Sequence, residues 1–342
     1  MTDHSDSGAT GISPERYSEV VAAIEAEVGK VIVGQRSVVR SVVVAMLCEG
    51  HVLLEGVPGL GKTMLLKALS DALDLEFGRI QFTPDLMPAD VTGTQVLETD
   101  ESGDRVFRFR EGPVFAGLVL ADEINRATPK TQSALLEAMQ ERSVTVAGAT
   151  RRLPRPFLVM ATQNPIEQEG TYPLPEAQLD RFMFKIDVGF PTADELHEIV
   201  GRTTSGASAT PSSVTDAAEL QQMIALTRQV PAASHVTRHA VDLVVATHPG
   251  GAGAPGEIAK YVRNGASPRG AQALMLGAKA TALLDGRPSA SVDDVRAVAG
   301  SALRHRLVLG FEAIADGVSP AQLIEAVMDA VPAPASGVRG AP

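Results

Sequence analysis

Apolar residues along this chain keep two rhythms, and the places where one gives way to the other outline a fold. Behind Ser13-Pro14, a capping serine and a first-turn proline, Tyr17, Val20, Val21, Ile24 and Val28 recur at helical spacing. Val38, Val39, Val42, Val43 and Met46 repeat that spacing from about Gln35 and predict a second helix. Short apolar runs then alternate with helical stretches, at residues 51–55, about 78–82, about 117–122, about 156–161 and about 184–188. Strand-length runs separated by helix-length segments predict an α/β fold, a five-stranded parallel sheet flanked by helices.

Two polar interruptions break this layer. Residues 94–98 and 105–110 flank the polar run 99–104, which holds Gly103 and reads as a hairpin turn. Residues 143–146 and 151–153 flank Ala147-Gly148-Ala149-Thr150, read as the turn of a second hairpin. Farther on, residues 201–213 are rich in Gly, Ser and Thr and form the most linker-like interior stretch. Beyond them the rhythm is helical. Leu274, Met275, Ala278 and Ala282 share a face, and Ser291 with Asp294 forms a capping box before Val295, Val298 and Ala302. The expected organisation is a tail over 1–12, an α/β core over 13–203 carrying hairpin inserts at about 94–110 and 143–153, a linker over 204–216, a helical domain over 217–332 and a tail over 333–342.

Size and composition narrow the classes. A chain of 342 residues can bury a large core and make two domains. Its net charge of -11 argues against a broadly basic nucleic-acid binder. A single cysteine, Cys48, excludes an intrachain disulfide and reads as a small core residue. No apolar run approaches the roughly 18 residues needed to cross a bilayer. The acidic start, MTDHSDSGATG, lacks the apolar stretch of a secretion signal. A cytoplasmic protein without a membrane span is expected.

The candidate chemistry begins at Gly56-Val57-Pro58-Gly59-Leu60-Gly61-Lys62-Thr63, which matches the phosphate-binding pattern G-x-x-x-x-G-K-[ST]. A strand precedes it and a helix opens at its end. Small residues let backbone N–H groups curl around a polyphosphate, and the helix start adds positive potential. Lys62 is placed to reach the β- and γ-phosphates, and the Thr63 hydroxyl to hold Mg²⁺. About 60 residues on, Leu118-Val119-Leu120-Ala121-Asp122-Glu123 is an apolar strand ending in two acids. Asp122 suits a second Mg²⁺ contact and Glu123 a general base for an attacking water. The plainer alternative is that Asp122 caps the next helix. Asn164 follows another strand at the same sheet end, where it touches a γ-phosphate or its water, or simply starts an Asn-Pro turn.

Together these segments resemble the AAA+ ATPases, specifically the MoxR family. The stretches GVPGLGKT, LVLADEINRA, ATQNP, LPEAQLDRF and GASPRG stand in that family's order over about residues 30–310. The resemblance implies an AAA+ core with a C-terminal all-α lid, ATP and Mg²⁺ as ligands, and a homo-oligomeric ring, usually a hexamer. It further implies a protein client and a partner with a von Willebrand A domain. By resemblance, Lys62 and Thr63 form the Walker A pair, and Asp122 and Glu123 the Walker B pair. Asn164 takes the place of sensor 1, Arg181 of the arginine finger and Arg269 of sensor 2. Val33 and Gly34, with Gln35, take that of the adenine-contacting segment, and nucleotide contacts extend through Gly56, Val57, Pro58, Gly59, Leu60, Gly61 and Met64. The hairpins look like the family's inserts directed toward a ring pore.

Alternatives stay open at several positions. Arg126 and Arg142 rival Arg181 as the finger, and Arg181 could instead pair with Asp180. Arg269 could be a solvent-exposed arginine at a helix start. Arg105, Arg108, Arg110, Arg151, Arg152 and Arg155 make the hairpins basic, either as a solvated face or as a grip for an acidic client. Rival functions are a magnesium-chelatase-type motor subunit, a nucleotide-gated assembly scaffold and, disfavoured by the acidic balance, a DNA translocase.

Overall fold

A computed structural model describes residues 11–57, 59–163, 170–205 and 209–333. Helix α1 (Pro14–Gly29) opens where Ser13 Oγ accepts the Arg16 N–H and Pro14 takes the first turn. Helix α2 (Arg36–Leu47) buries the valine stripe read from the sequence. Then come β1 (Val52–Glu55), α3 (Lys62–Leu73), β2 (Phe77–Gln81), α4 (Pro88–Thr92) and the hairpin of β3 (Gly93–Thr99) with β4 (Arg105–Glu111). The layer continues through β5 (Leu118–Asp122), α5 (Pro129–Glu141), the hairpin of β6 (Ser143–Val146) with β7 (Ala149–Arg152), and β8 (Leu158–Gln163). It closes with α6 (Glu176–Leu179), β9 (Phe184–Asp187) and α7 (Ala193–Thr204).

The main sheet has five parallel strands in the order β2-β5-β8-β1-β9. Leu53, Val119, Ala121, Val159 and Ala161 face one way and pack with Leu135, Leu136 and Met139 of α5. Val52, Leu54, Leu118, Leu120, Leu158 and Met160 face the other way, against α1, α2 and α3. Both faces of β1, β5 and β8 are covered, which is why these central strands read as unbroken apolar runs, whereas the edge strands β2 and β9 alternate.

The remaining elements are α8 (Ala217–Gln229), α9 (Ser234–Ala246), α10 (Gly256–Tyr261), β10 (Val262–Asn264), α11 (Pro268–Leu284), α12 (Val292–Leu303), β11 (Val308–Leu309), α13 (Phe311–Ala315) and α14 (Pro320–Ala330). Leu220, Leu243, Leu274, Val295 and Leu323 join the same apolar cluster as α1 and α2. The buried Tyr17 hydroxyl meets Thr227 Oγ1 at 2.9 Å. The lid therefore shares its core with the N-terminal helices. Strands β10 and β11 pair antiparallel, adding a short ladder to the all-helical lid expected.

Three local expectations change. The second hairpin turns over two residues rather than four: Ala147 (φ 51) and Gly148 (φ 80) are both left-handed, while Thr145 pairs with Thr150 and Val146 with Ala149. Two left-handed residues match the right-handed twist of the strands they join. Residues 201–204, which open the linker-like stretch, are the last turn of α7. Thr203 and Thr204 satisfy their hydroxyls on Ile199 O and Val200 O, at 2.8 and 2.6 Å, without leaving the helix. Strand β8 begins at Leu158 rather than about 156, since Pro156 has no N–H to pair, and it continues through Thr162 to Gln163. That extension carries Thr162 into the site.

Candidate functional site

The loop from β1 to α3 is built for backbone exposure. Gly59 (φ 85) and Gly61 (φ 76) hold left-handed conformations, and Gly61 caps α3. A Cβ on Gly56 would lie 2.7 Å from Val188 O, so glycine lets the loop leave the sheet beside β9. Lys62 Nζ bends back over the loop and donates to Gly56 O at 2.5 Å. Burial pulls the Lys62 ammonium below its ordinary value, opposed by Asp122, Glu123 and Glu55. Gly56 and residues 59–64 line a cavity of about 180 Å³ with Asp122, Glu123, Thr162 and Gln163. Val57 lies outside that lining, and Pro58 and Asn164 lie outside the described residues.

The acids are held from two neighbouring strands. Thr162 Oγ1 donates to Asp122 Oδ1 at 2.7 Å and accepts the Glu123 N–H at 2.8 Å. Its direction is thereby set, and the two acids are tied to one buried hydroxyl. Glu123 has a left-handed backbone (φ 56), which turns its side chain out of the strand's alternation. Glu123 Oε2 accepts from Gln81 Nε2 at 2.9 Å and from Arg126 Nη1 at 3.1 Å. Asp122 Oδ2 accepts from Arg79 Nη2 at 2.9 Å. Arg79, Gln81 and Thr162 received no role in the sequence reading. The available signal was the i, i+2 spacing of Arg79 and Gln81 on the strand before the acids.

Beside the loop is a second cavity of about 450 Å³, lined by Ile32, Val33, Gly34 and Val39 and edged by Glu25, Arg36, Glu198 and Arg202. Gln35 joins the two, its Nε2 donating to Leu60 O at 3.3 Å. Ile32, Val33 and Val39 give this otherwise polar cavity an apolar surface beside the phosphate-binding loop, which suits a nucleobase.

Arg181 and Arg269 are not in either cavity's lining. They share a third recess, of about 610 Å³, with Asp180, Arg228 and Arg306. Asp180 pairs with Arg306 and Arg269, not with Arg181. Among the described residues Arg181 makes no side-chain hydrogen bond or ion pair. The rival arginines are engaged inside the chain: Arg142 pairs with Glu49, and Arg126 with Glu123.

Comparison with known proteins agrees with this architecture. Residues 51–184 match the model of the ATPase family associated with various cellular activities (AAA), and residues 257–327 match that of the AAA lid domain. The chain is 44% identical over 332 residues to Chaperone MoxR1 of Mycobacterium tuberculosis, covering 96% of this chain and 85% of the relative. It is 34% identical over 330 residues to Protein MoxR of Paracoccus denitrificans, covering 91% and 96%. A crystal structure from Cytophaga hutchinsonii, described as a proposed ATPase, superposes with a TM-score of 0.87 at 39% identity, covering 93% of this chain and 96% of that one.

Proposed function

The chain belongs to the MoxR family of AAA+ ATPases, and from that premise we propose that it hydrolyses ATP within a ring oligomer to remodel or mature client proteins. One observation carries the proposal: Lys62 and Thr63 share a cavity with Asp122 and Glu123, and a single threonine hydroxyl aligns both acids. The start of α3 and the loop's N–H groups bind the polyphosphate, and Lys62 exchanges its bond to Gly56 O for phosphate oxygens. Val33 and Gly34 shelter the base, with Gln35 linking base pocket to loop. Thr63 and Asp122 both bring oxygen ligands to the lining of one cavity, the chemistry a hard divalent cation prefers. They would hold Mg²⁺, which when bound neutralises phosphate charge. Glu123, oriented by Gln81 and Arg126, takes the proton of the attacking water.

Arg181 lines a recess apart from its own phosphate loop, and its side chain makes no hydrogen bond or ion pair among the described residues. Both facts support a role on the nucleotide of a neighbouring copy, so turnover depends on assembly, usually hexameric in this family. Arg269 shares the recess and is assigned to the same interface. The hairpins offer a surface for clients: Phe107 is 70% exposed, faces Leu97 across the ladder, and is flanked by arginines. Arg151 stacks on the Phe109 ring at 3.9 Å and ties one hairpin to the other. A von Willebrand A domain protein as partner, a cytoplasmic location and Asn164 as sensor 1 complete the proposal. No helix among the described residues is long and apolar enough to cross a membrane.

The test pairs calorimetry with phosphate release across the assembly concentration. Lys62→Ala abolishes ATP binding. Glu123→Gln binds ATP but turns it over at least about tenfold more slowly. Wild-type turnover per subunit rises on assembly. Normal ATP binding by Lys62→Ala refutes the site, and turnover independent of assembly refutes the ring mechanism in favour of a self-sufficient subunit.

A further inference from the structure

We propose that Arg306, a buried lid arginine, is the positioning residue for Arg181. The inference rests on the reading of Arg181 as acting on a neighbouring copy's nucleotide. Arg306 ends the single helical turn that follows α12, and its side chain is only 2% exposed. Nearly all its donors are spent on the segment that carries Arg181. Nε donates to Asp180 Oδ1 at 2.9 Å. Nη2 donates to Asp180 O at 3.1 Å and to Phe182 O at 2.8 Å. Nη1 reaches Met183 O at 3.1 Å and also bonds Ala302 O in the lid itself.

The pattern brackets Arg181. The carbonyls of the residue before it and the residue after it, Asp180 and Phe182, both accept from one nitrogen of one rigid, planar group. The backbone on either side of Arg181 therefore cannot rotate without breaking charge-assisted bonds in a buried place. Burying a guanidinium is costly unless it is paired, and Asp180 supplies the pair. Burial pushes Arg306 down to about 10, which leaves it charged at neutral pH.

Asp180 is itself gripped by the lid a second time. Ser267 Oγ donates to both carboxylate oxygens, at 2.8 and 2.9 Å, and Arg269 Nη1 lies 3.6 Å from Oδ2. Lid residues from the start of α11 and the turn after α12 thus converge on the residue preceding Arg181. Arg181 itself is left to project into the recess. The grouping links lid position to the placement of the arginine that serves the adjoining copy.

The experiment uses the full chain, assembled, with Arg306→Gln and the milder Asp180→Asn. Each is measured for ATP affinity, for phosphate release alone, and for phosphate release when mixed with Glu123→Gln subunits. Those subunits turn ATP over at least about tenfold more slowly but carry an intact Arg181. Both variants are expected to keep ATP affinity within about twofold and to lose turnover at least about tenfold when alone. Both should regain turnover in the mixture, because a Glu123→Gln neighbour presents a well-placed arginine to their intact sites. A residue that only held the lid together would lose ATP affinity with activity and regain nothing. That result, or undiminished turnover alone, overturns the inference. If Arg306→Gln does not fold, Asp180→Asn in the same mixture decides. Arg181→Ala mixed with Glu123→Gln separates the premises: recovery there without recovery for the other two overturns the role of Arg306 alone. No recovery for Arg181→Ala overturns the trans reading of Arg181.

Discussion

The guanidinium of Arg79, on the edge strand β2, lies 2.9 Å from Asp122 Oδ2 at the end of the adjacent strand β5. Arg79 also donates to Gln81 Oε1 at 3.1 Å, and Gln81 donates to Glu123 Oε2. The edge strand thus holds both acids through one polar chain.

Arg79→Ala frees an oxygen of Asp122 from a competing cation. The pair is half exposed, so it is worth no more than about 1 kcal/mol, or about fivefold. The Mg²⁺ concentration needed to support binding of a fluorescent ATP analogue should fall by about two- to fivefold. A rise would mean that Arg79 holds Asp122 in place rather than competing for it.

Thr162→Val removes the hydroxyl shared by the two acids while keeping the volume. The Glu123 N–H loses its acceptor in a partly buried place, which costs about 1–3 kcal/mol in urea denaturation. With Asp122 and Glu123 unlocked, turnover should drop at least about tenfold while Mg²⁺-free nucleotide affinity stays near wild type. Equal turnover in both proteins would show that the acids hold their geometry without it.

Gly34→Ala tests the base pocket. Gly34 has φ +65, and a Cβ there would sit 2.1 Å from Glu195 Oε1, whose side chain is already committed to capping α7. Left-handed strain and the displaced cap cost about 1–2 kcal/mol. ATP affinity should fall by about tenfold, while tripolyphosphate affinity, which needs only the loop, should be unchanged. Parallel losses would move the defect from the base pocket to the loop.

His51 makes stability sensitive to acid. Its Nδ1 accepts the Val159 N–H at 3.0 Å, and its Nε2 lies 3.2 Å from Met139 O, so the ring sits neutral with its proton on Nε2. Burial pushes it down to about 4, against about 6.5 when unfolded. As pH falls the unfolded chain takes up the proton first. The contribution is therefore complete above about pH 6.5 and is lost progressively toward pH 4. Burial lowers His305 in the same direction. The His51 share amounts to about 2 kcal/mol between pH 7 and 5, so His51→Gln should show a correspondingly shallower fall in urea denaturation. Identical falls would assign the sensitivity to other groups.

What the sequence determined by itself was whatever is decided within a few residues. The phosphate loop follows from glycines at set spacing between strand and helix, and Ser13-Pro14 and Ser291 with Asp294 cap their helices as read. The runs of β1, β5 and β8 specified a doubly covered sheet centre because apolar burial on both faces leaves a continuous signature. Errors fell where local composition misleads: threonines that bond back into α7, and an alanine that accepts a left-handed turn. Only the tertiary structure gathered Arg79, Gln81 and Thr162 around the two acids, since strand order makes neighbours of β2, β5 and β8 across about forty residues. Only it turned Asp180 from a partner of Arg181 into a partner of Arg306, far along the chain. Sequence spacing sets contacts along a helix or loop, whereas contacts between elements depend on how those elements stack.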